Sequence, residues 1–272
     1  TTQLPNGIGA WASIFDFGFD FNSANQGGRG SEYGFGYDGS AYLWENATAA
    51  NGRDPLEHRV DGYYQINGGK TVIRLSSDYY RNNGNSVNFL NVNRESRSTQ
   101  SDDLGLNASM VREITNGSLE VSAGYNLRDF VSGSGLNDQN SYAMDFALYH
   151  SLGIAPKTNY GVGFRFGSDD YSDNGEQDFY TTSLRWRYQA SAKTTAYSTL
   201  GWETRSISGG EDSDNFVFDA GVNWEVSSKT SVNLFLSRKV RPSYNETNAD
   251  FKSLGGTAAI THDLPGLYVL DA

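Results

Sequence analysis

The stretch DFYTTSLRWRYQASAKTTAYSTLGWETRS, residues 178–206, decides how the rest of the chain is read. In its first arm Tyr180, Thr182, Leu184, Trp186 and Tyr188 share one parity, while Thr181, Ser183, Arg185, Arg187 and Gln189 share the other. Successive side chains of a strand point to opposite faces, so this arm has an aromatic face and a cationic one. After a short turn at Ser191-Ala192-Lys193-Thr194, the return arm sets Ala196, Ser198, Leu200 and Trp202 against Tyr197, Thr199, Gly201, Glu203 and Arg205. A soluble sandwich alternates in the same way, but it packs its apolar side on a second sheet. Recurrence of the unit separates the two readings.

The unit recurs along the whole chain. A first strand, residues 10–21, carries Trp11, Phe15, Phe17, Phe19 and Phe21 opposite Asp16, Gly18 and Asp20. A second, residues 32–44, sets Tyr33, Phe35, Tyr37, Ala41 and Leu43 against Glu32, Gly34, Gly36, Asp38 and Ser40. Asn67-Gly68-Gly69 and Thr115-Asn116-Gly117 are tight-turn signals between further pairs. Later strands show Tyr142, Met144, Phe146 and Leu148, then Tyr160, Val162, Phe164 and Phe166. Past the opening hairpin come Phe216, Phe218, Val222 and Trp224, then Val232, Leu234 and Leu236. Leu254, Gly256, Ala258 and Ile260 mark a thirteenth strand, and residues 266–270 begin another. The opposite faces are Gly, Ser, Thr, Asn and charge.

Composition sets the class. The chain has 272 residues, no Cys, 14% aromatic residues, a formal charge of −11 and a mean hydropathy of −0.56. No long apolar run is present, which excludes transmembrane helices and leaves transmembrane strands, each needing only about ten residues. The lack of Cys removes disulfides and thiolate metal sites. A pI near 4.7 argues against a nucleic-acid partner. Short turns alternate with longer polar loops at 47–56, 82–101, 131–139, 168–177, 207–214 and 242–250, the asymmetry of an outer-membrane barrel. Neither a fixed repeat length nor a repeated loop motif, the marks of a β-helix or propeller, is present. The expectation is therefore an all-β, transmembrane, antiparallel up-and-down β-barrel in the bacterial outer membrane, a single domain over 1–272 with about 14 strands visible. With short turns in the periplasm, the first strand begins outside and the last ascends, so at least one further strand is expected at each end, before Thr1 and after Ala272. A complete barrel of about 16 strands is expected.

The run EYGFGYDGSAYLWEN (32–46), followed after a polar acidic loop by EHRVDGYYQINGGKTVIRLSSDYYR (57–81), resembles the β-barrel porin 2 family, which includes exopolysaccharide-export barrels of the VpsM type. NGSLEVSAGYNLRDF (116–130) and TSVNLFLSRKVR (230–241) are similar to that family's recurrent hairpin of strand, aromatic residue and Arg-Asp. The resemblance spans most of the chain and describes hairpin shape. It implies a porin-like outer-membrane channel tied to polysaccharide export, and it carries over no catalytic residue.

With the polar faces turned inward, the pore-lining candidates are Asp16, Asp20, Glu32, Asp38 and Asp61 on the early strands and Arg165, Arg185, Arg187 and Arg205 on the eighth to tenth. Two readings stand side by side. A basic ladder opposite an acidic wall would filter ions and orient dipolar solutes; alternatively the charges pair with neighbours across the strands. Arg185 and Arg187 carry the functional reading, because like charges two apart on one face gain nothing by themselves. Tyr63, Tyr149 and Tyr197 form either a sugar-stacking track or interior filling.

No enzyme is expected. His58 and His150 fall on the lipid-facing parity, and His262 falls in a turn, none with a catalytic partner. Three His without Cys give no basis for a transition-metal site, and no metal or cofactor is expected. The acidic runs Asp169-Asp170 to Asp173 and Glu211-Asp212-Ser213-Asp214 offer oxygens to Ca²⁺ or to divalent-bridged lipopolysaccharide. Expected partners are outer-membrane lipid and lipopolysaccharide, with polysaccharide or periplasmic export proteins beside them and no nucleic acid. A channel and a plugged, partner-docking barrel are the two functions left open, with a soluble adhesin sandwich behind them.

Overall fold

The computed structural model describes residues 2–3, 9–10, 12–23, 29–44, 55–82, 100–130, 138–151, 157–171, 175–242, 250–263 and 269–271. Among them every regular element is a strand. A two-residue pair, β1 (Thr2–Gln3) and β2 (Gly9–Ala10), precedes β3 (Ala12–Ser23), β4 (Gly30–Trp44), β5 (Leu56–Asn67) and β6 (Thr71–Asn82). Then come β7 (Ser101–Ile114), β8 (Gly117–Phe130), β9 (Gln139–Ser151), β10 (Thr158–Tyr171), β11 (Gly175–Ser191) and β12 (Thr194–Ile207). β13 (Ser213–Ser227), β14 (Thr230–Pro242), β15 (Asp250–Asp263) and β16 (Val269–Asp271) follow. From β3 onward the hydrogen-bonded order in the sheet is the chain order, an antiparallel up-and-down meander.

The strands fall into two compact units. Unit 1 comprises Thr1–Ser109 and Gly124–Tyr142, and unit 2 comprises Met110–Ala123 and Ala143–Ala272, so the division crosses β7, β8 and β9. Within unit 1, β3 to β6 pair in unbroken register, with Phe21 opposite Phe35 and Tyr33 opposite Tyr64. Within unit 2, β10 to β15 pair antiparallel in turn, with register shifts only beside two turns, at Gln189/Ser191 and Glu225/Ser227, and with Leu184 opposite both Val162 and Leu200. The tight turns form as their chemistry requires. Gly69 adopts φ 84°, a left-handed conformation open to glycine, where the Gly68 amide donates to the Thr71 carbonyl at 2.8 Å.

Burial is inverted relative to a soluble sheet protein. Phe19 is 59%, Leu184 66% and Leu254 69% exposed, and most of their parity sets are open with them. Meanwhile Gln177 and Arg205, on the polar parity, are only 2% and 3% exposed. A sandwich would cover its apolar faces; here they form continuous bare bands, the arrangement of strands that meet lipid. Aromatic ladders run along that band, with Phe19 between Phe35 and Tyr37 at 5.9 and 5.8 Å.

Three boundary expectations are corrected. The first strand is shifted, β3 running Ala12–Ser23 while Ala10 belongs to β2. Of residues 168–177, read as a polar loop, 168–171 extend β10 and 175–177 extend β11, pairing Ser168 with Asp178 and Tyr171 with Gly175, while 172–174 lie outside the described residues. Cross-strand hydrogen bonds in a hairpin override the weak strand preference of Asp and Gly. His262 lies in β15 opposite Thr230, not in a turn. The expected loops at 47–56 and 82–101 fall mostly outside the described residues, and the last strand is described only as Val269–Asp271.

Candidate functional site: the polar strand faces

In unit 1 the polar face gathers carboxylates. Asp16, Asp20, Glu32, Asp38, Glu57, Asp61, Asp78 and Asp103 share it with Arg59, Arg74 and Arg128. Some are satisfied locally. Ser40 Oγ donates to Asp16 at 2.6 Å, Gln65 and Asn67 amides donate to Glu32, and the Tyr42 and Tyr80 hydroxyls both donate to buried Glu57. Arg128 grips Asp103 with two hydrogen bonds, at 2.6 and 2.9 Å. Asp20, Asp38, Asp61 and Asp78 form no ion pair among the described residues.

The register explains how these acids come together. Asp20 lies opposite Gly36, Gly36 opposite Asp61, and Asp61 opposite Asp78. A Cβ on Gly36 would sit 2.8 Å from one Asp20 oxygen and 3.0 Å from an Asp61 oxygen, so glycine is what lets both carboxylates lean over β4. Asp78 leans likewise over Gly105. Two carboxylates directly across a ladder have Cβ atoms about 5 Å apart and repel by roughly 0.8 kcal/mol even in water. Packing gives no reason for such a pair. Alternation within one strand does not single out Asp78; counting the register back from the Asn67-Gly68-Gly69 turn does.

In unit 2 three of the pore-lining arginines are neutralised. Arg185 Nη2 lies 2.6 Å from Asp145 Oδ2, and Arg187 makes a two-pronged pair with Glu120, at 2.5 and 2.9 Å. Arg205 Nη1 meets Asp169 at 2.8 Å and Gln177 at 3.2 Å, while its Nη2 meets Glu203 at 3.1 Å. Arg165 stacks at 5.0 Å over Phe179. Contrary to expectation, Arg185 and Arg187 do gain structurally, since each has its own carboxylate. Those partners lie two or three strands away: β9 for Arg185, β8 for Arg187. In a flat sheet three strands span about 14 Å, so within this unit the sheet curls toward its polar face. Asp169, one of the Ca²⁺ candidates, is a ligand of Arg205 instead. Among the described residues no group of three or more His, Asp or Glu is placed to hold a metal ion.

The three interior tyrosines also have partners. Tyr63 lies across Gly34 beneath Arg74, whose guanidinium carbon is 4.2 Å from the ring centre. Tyr149 lies across Gly161 beneath Arg187 at 4.1 Å and is 3% exposed, leaving no free ring face. Tyr197 crosses Gly221 and stays 39% exposed. It borders a concavity of about 550 Å³ shared with Tyr149, Arg187 and Asp219.

No protein-family model and no curated protein matches the sequence. Solved structures do. The siderophore receptor PirA from Pseudomonas aeruginosa superposes with a TM-score of 0.50 at 11% identity, over 96% of this chain and 51% of that one. A mutant of the ferric enterobactin receptor PfeA from Pseudomonas aeruginosa gives 0.45 at 10% identity, over 97% and 52%. OmpT, an outer membrane protein of Vibrio cholerae, gives 0.40 at 9% identity, over 93% and 97%. The chain spans about half the length of these siderophore and enterobactin receptors. At this identity the likeness to PirA concerns fold alone: an all-β antiparallel up-and-down strand architecture of the outer-membrane β-barrel kind.

Proposed function

We propose that the chain forms a porin-like channel of the bacterial outer membrane that passes small polar solutes and favours cations. The observation that carries this is the Asp20–Asp61–Asp78 row. A folded sheet retains opposed carboxylates on a water-facing surface at a cost in stability, and their field attracts cations. The bare apolar bands on the opposite parity support the membrane setting. The resemblance to the β-barrel porin 2 family extends the reading to polysaccharide export, with Tyr197 as the exposed ring for a sugar and periplasmic export proteins as partners.

The test is reversal potential across a planar bilayer under a KCl gradient, with an Asp61→Asn, Asp78→Asn variant beside the wild type. Open steps with a cation preference that shrinks in the variant support the reading. Anion preference, or no change in the variant, overturns the selectivity. One observation favours a second reading, a non-conducting docking barrel. Ser168, Gln177, Glu203 and Arg205 are almost wholly buried at one end of β10–β12, so the polar face there is covered. Folded protein giving no steps at all would favour it.

A further inference from the structure

Four connections between strands end in the same dipeptide. They read Gly68-Gly69-Lys70-Thr71, Ala155-Pro156-Lys157-Thr158, Ser191-Ala192-Lys193-Thr194 and Ser227-Ser228-Lys229-Thr230. In each, the threonine is the first residue of the outgoing strand: β6, β10, β12 or β14. Strand chemistry accounts for threonine, which is β-branched. It does not call for lysine four times in a chain of formal charge −11.

In unit 2 an up-and-down order returns every second turn to the same end, which gathers Lys157, Lys193 and Lys229 there. The opposite strand ends carry Asp170, Glu176, Glu211, Asp212 and Asp214. All three lysines are exposed and none is ion-paired among the described residues; Lys157 Nζ donates only to the Ala190 carbonyl, at 3.3 Å. Two of the turns are built alike, the Lys193 amide donating to Ser191 Oγ at 3.1 Å and the Lys229 amide to Ser227 Oγ at 3.2 Å. Glu225, whose amide donates to the Lys193 carbonyl at 2.8 Å, is an exposed carboxylate at the same end and offsets one charge.

In unit 2 the three threonines each face a ring directly across the ladder. Thr158 lies opposite Tyr188, Thr194 opposite Trp224, and Thr230 opposite His262, with Thr230 Oγ1 2.8 Å from His262 Nδ1. Tyr188 and Trp224 are 37% and 48% exposed on the apolar parity, and Trp186 stacks on Tyr188. Amphipathic rings at the polar margin of an apolar band sit at the headgroup level of a bilayer. A lysine one residue beyond that margin then lies among the lipid phosphates. The geometry points to a belt on unit 2 that binds the phosphodiester headgroups of anionic glycerophospholipids. Lys157, Lys193 and Lys229 supply charge, and the adjoining hydroxyl and ring N–H groups supply hydrogen bonds. The inference rests on the strands crossing a membrane.

The test uses the full chain, folded as judged by heat-modifiable gel migration, in nanodiscs of phosphatidylcholine with or without phosphatidylglycerol. Native mass spectrometry counts retained lipid for the wild type, for the triple variant Lys157→Gln, Lys193→Gln, Lys229→Gln, and for a Lys239→Gln, Lys252→Gln control at the opposite strand ends. At roughly fivefold per lysine, the wild type retains phosphatidylglycerol about a hundredfold better than phosphatidylcholine. The triple variant falls toward parity and the control does not. An undiminished preference in the triple variant overturns the belt, as does a folded, inserted wild type with no preference. Displacement of the lipid by millimolar inorganic phosphate would make it a site for the free ion and overturn the lipid assignment. Protein that migrates as folded yet does not enter nanodiscs overturns the membrane reading, and the belt with it.

Discussion

The polar faces of the two units solve the same problem in opposite ways. Both line strands whose other parity is bare and apolar, and both use glycines to make room for longer side chains. Unit 2 balances its charges: Arg185, Arg187 and Arg205 each hold a carboxylate within 2.8 Å. Unit 1 pairs Arg128 with Asp103, but among the described residues Asp61 and Asp78 face each other with no arginine or lysine paired to either. An ion pair at contact distance has almost no field beyond a Debye length of about 8 Å, whereas a row of like charges has a field that a passing solute meets. Formal charge in a sequence is therefore a poor guide to where a channel selects; the unpaired residue is the better one.

The largest expected effect breaks the balance in unit 2. Arg205 is 3% exposed between Asp169 and Glu203, so Arg205→Ala leaves buried Glu203 and part-buried Asp169 without a counter-charge. A loss of about 3–5 kcal/mol is expected, read from denaturant unfolding in detergent. A smaller loss than about 1 kcal/mol would mean that water reaches the cluster. Next is Gly161→Val. Its Cβ would sit 2.7 Å from the Tyr149 ring and 2.9 Å from the Leu148 carbonyl, and overpacking of this kind costs about 1–3 kcal/mol. Retained stability would show that Tyr149 swings freely away from Arg187.

How much of this was legible in the sequence follows the range of the interactions. Parity along 178–206 was enough to name Leu184, Leu200 and Trp202 as bare, because alternation is a property of one strand. Nearest-neighbour register was within reach too: the Asn67-Gly68-Gly69 turn places Asp78 opposite Asp61. What escaped were partners beyond the adjacent strand. Arg187 reaches Glu120 across two intervening strands only because the sheet curls, and curl is set by packing over many residues. His262 was misplaced for a simpler reason. The Thr-His-Asp-Leu-Pro-Gly run reads as a turn, yet β15 pairs with β14 through Thr230 up to that histidine.

Changes in the half-exposed or unpaired charges have smaller effects. Asp61→Asn removes a like-charge contact, so stability should rise by about 0.2–1 kcal/mol while cation preference falls. A loss of stability would reveal a hidden partner for that carboxylate. Arg187→Gln is the mildest case. Its pair with Glu120 is half exposed, so the expected cost is a few tenths of a kcal/mol. Channel selectivity should then move slightly toward cations, as Glu120 loses its counter-charge; a move toward anions would contradict the pairing.

All of this stands on which parity meets lipid, and a chain without native cysteine allows that to be read directly. Single cysteines at Leu234 and Asn233, adjacent on β14, would carry an environment-sensitive fluorophore in vesicles containing brominated lipid. The label at Leu234 should be quenched by the lipid and spared by a water-soluble quencher, and the label at Asn233 should show the reverse. Equal quenching by the aqueous reagent at both positions, or the opposite assignment, would contradict the membrane-spanning strand architecture.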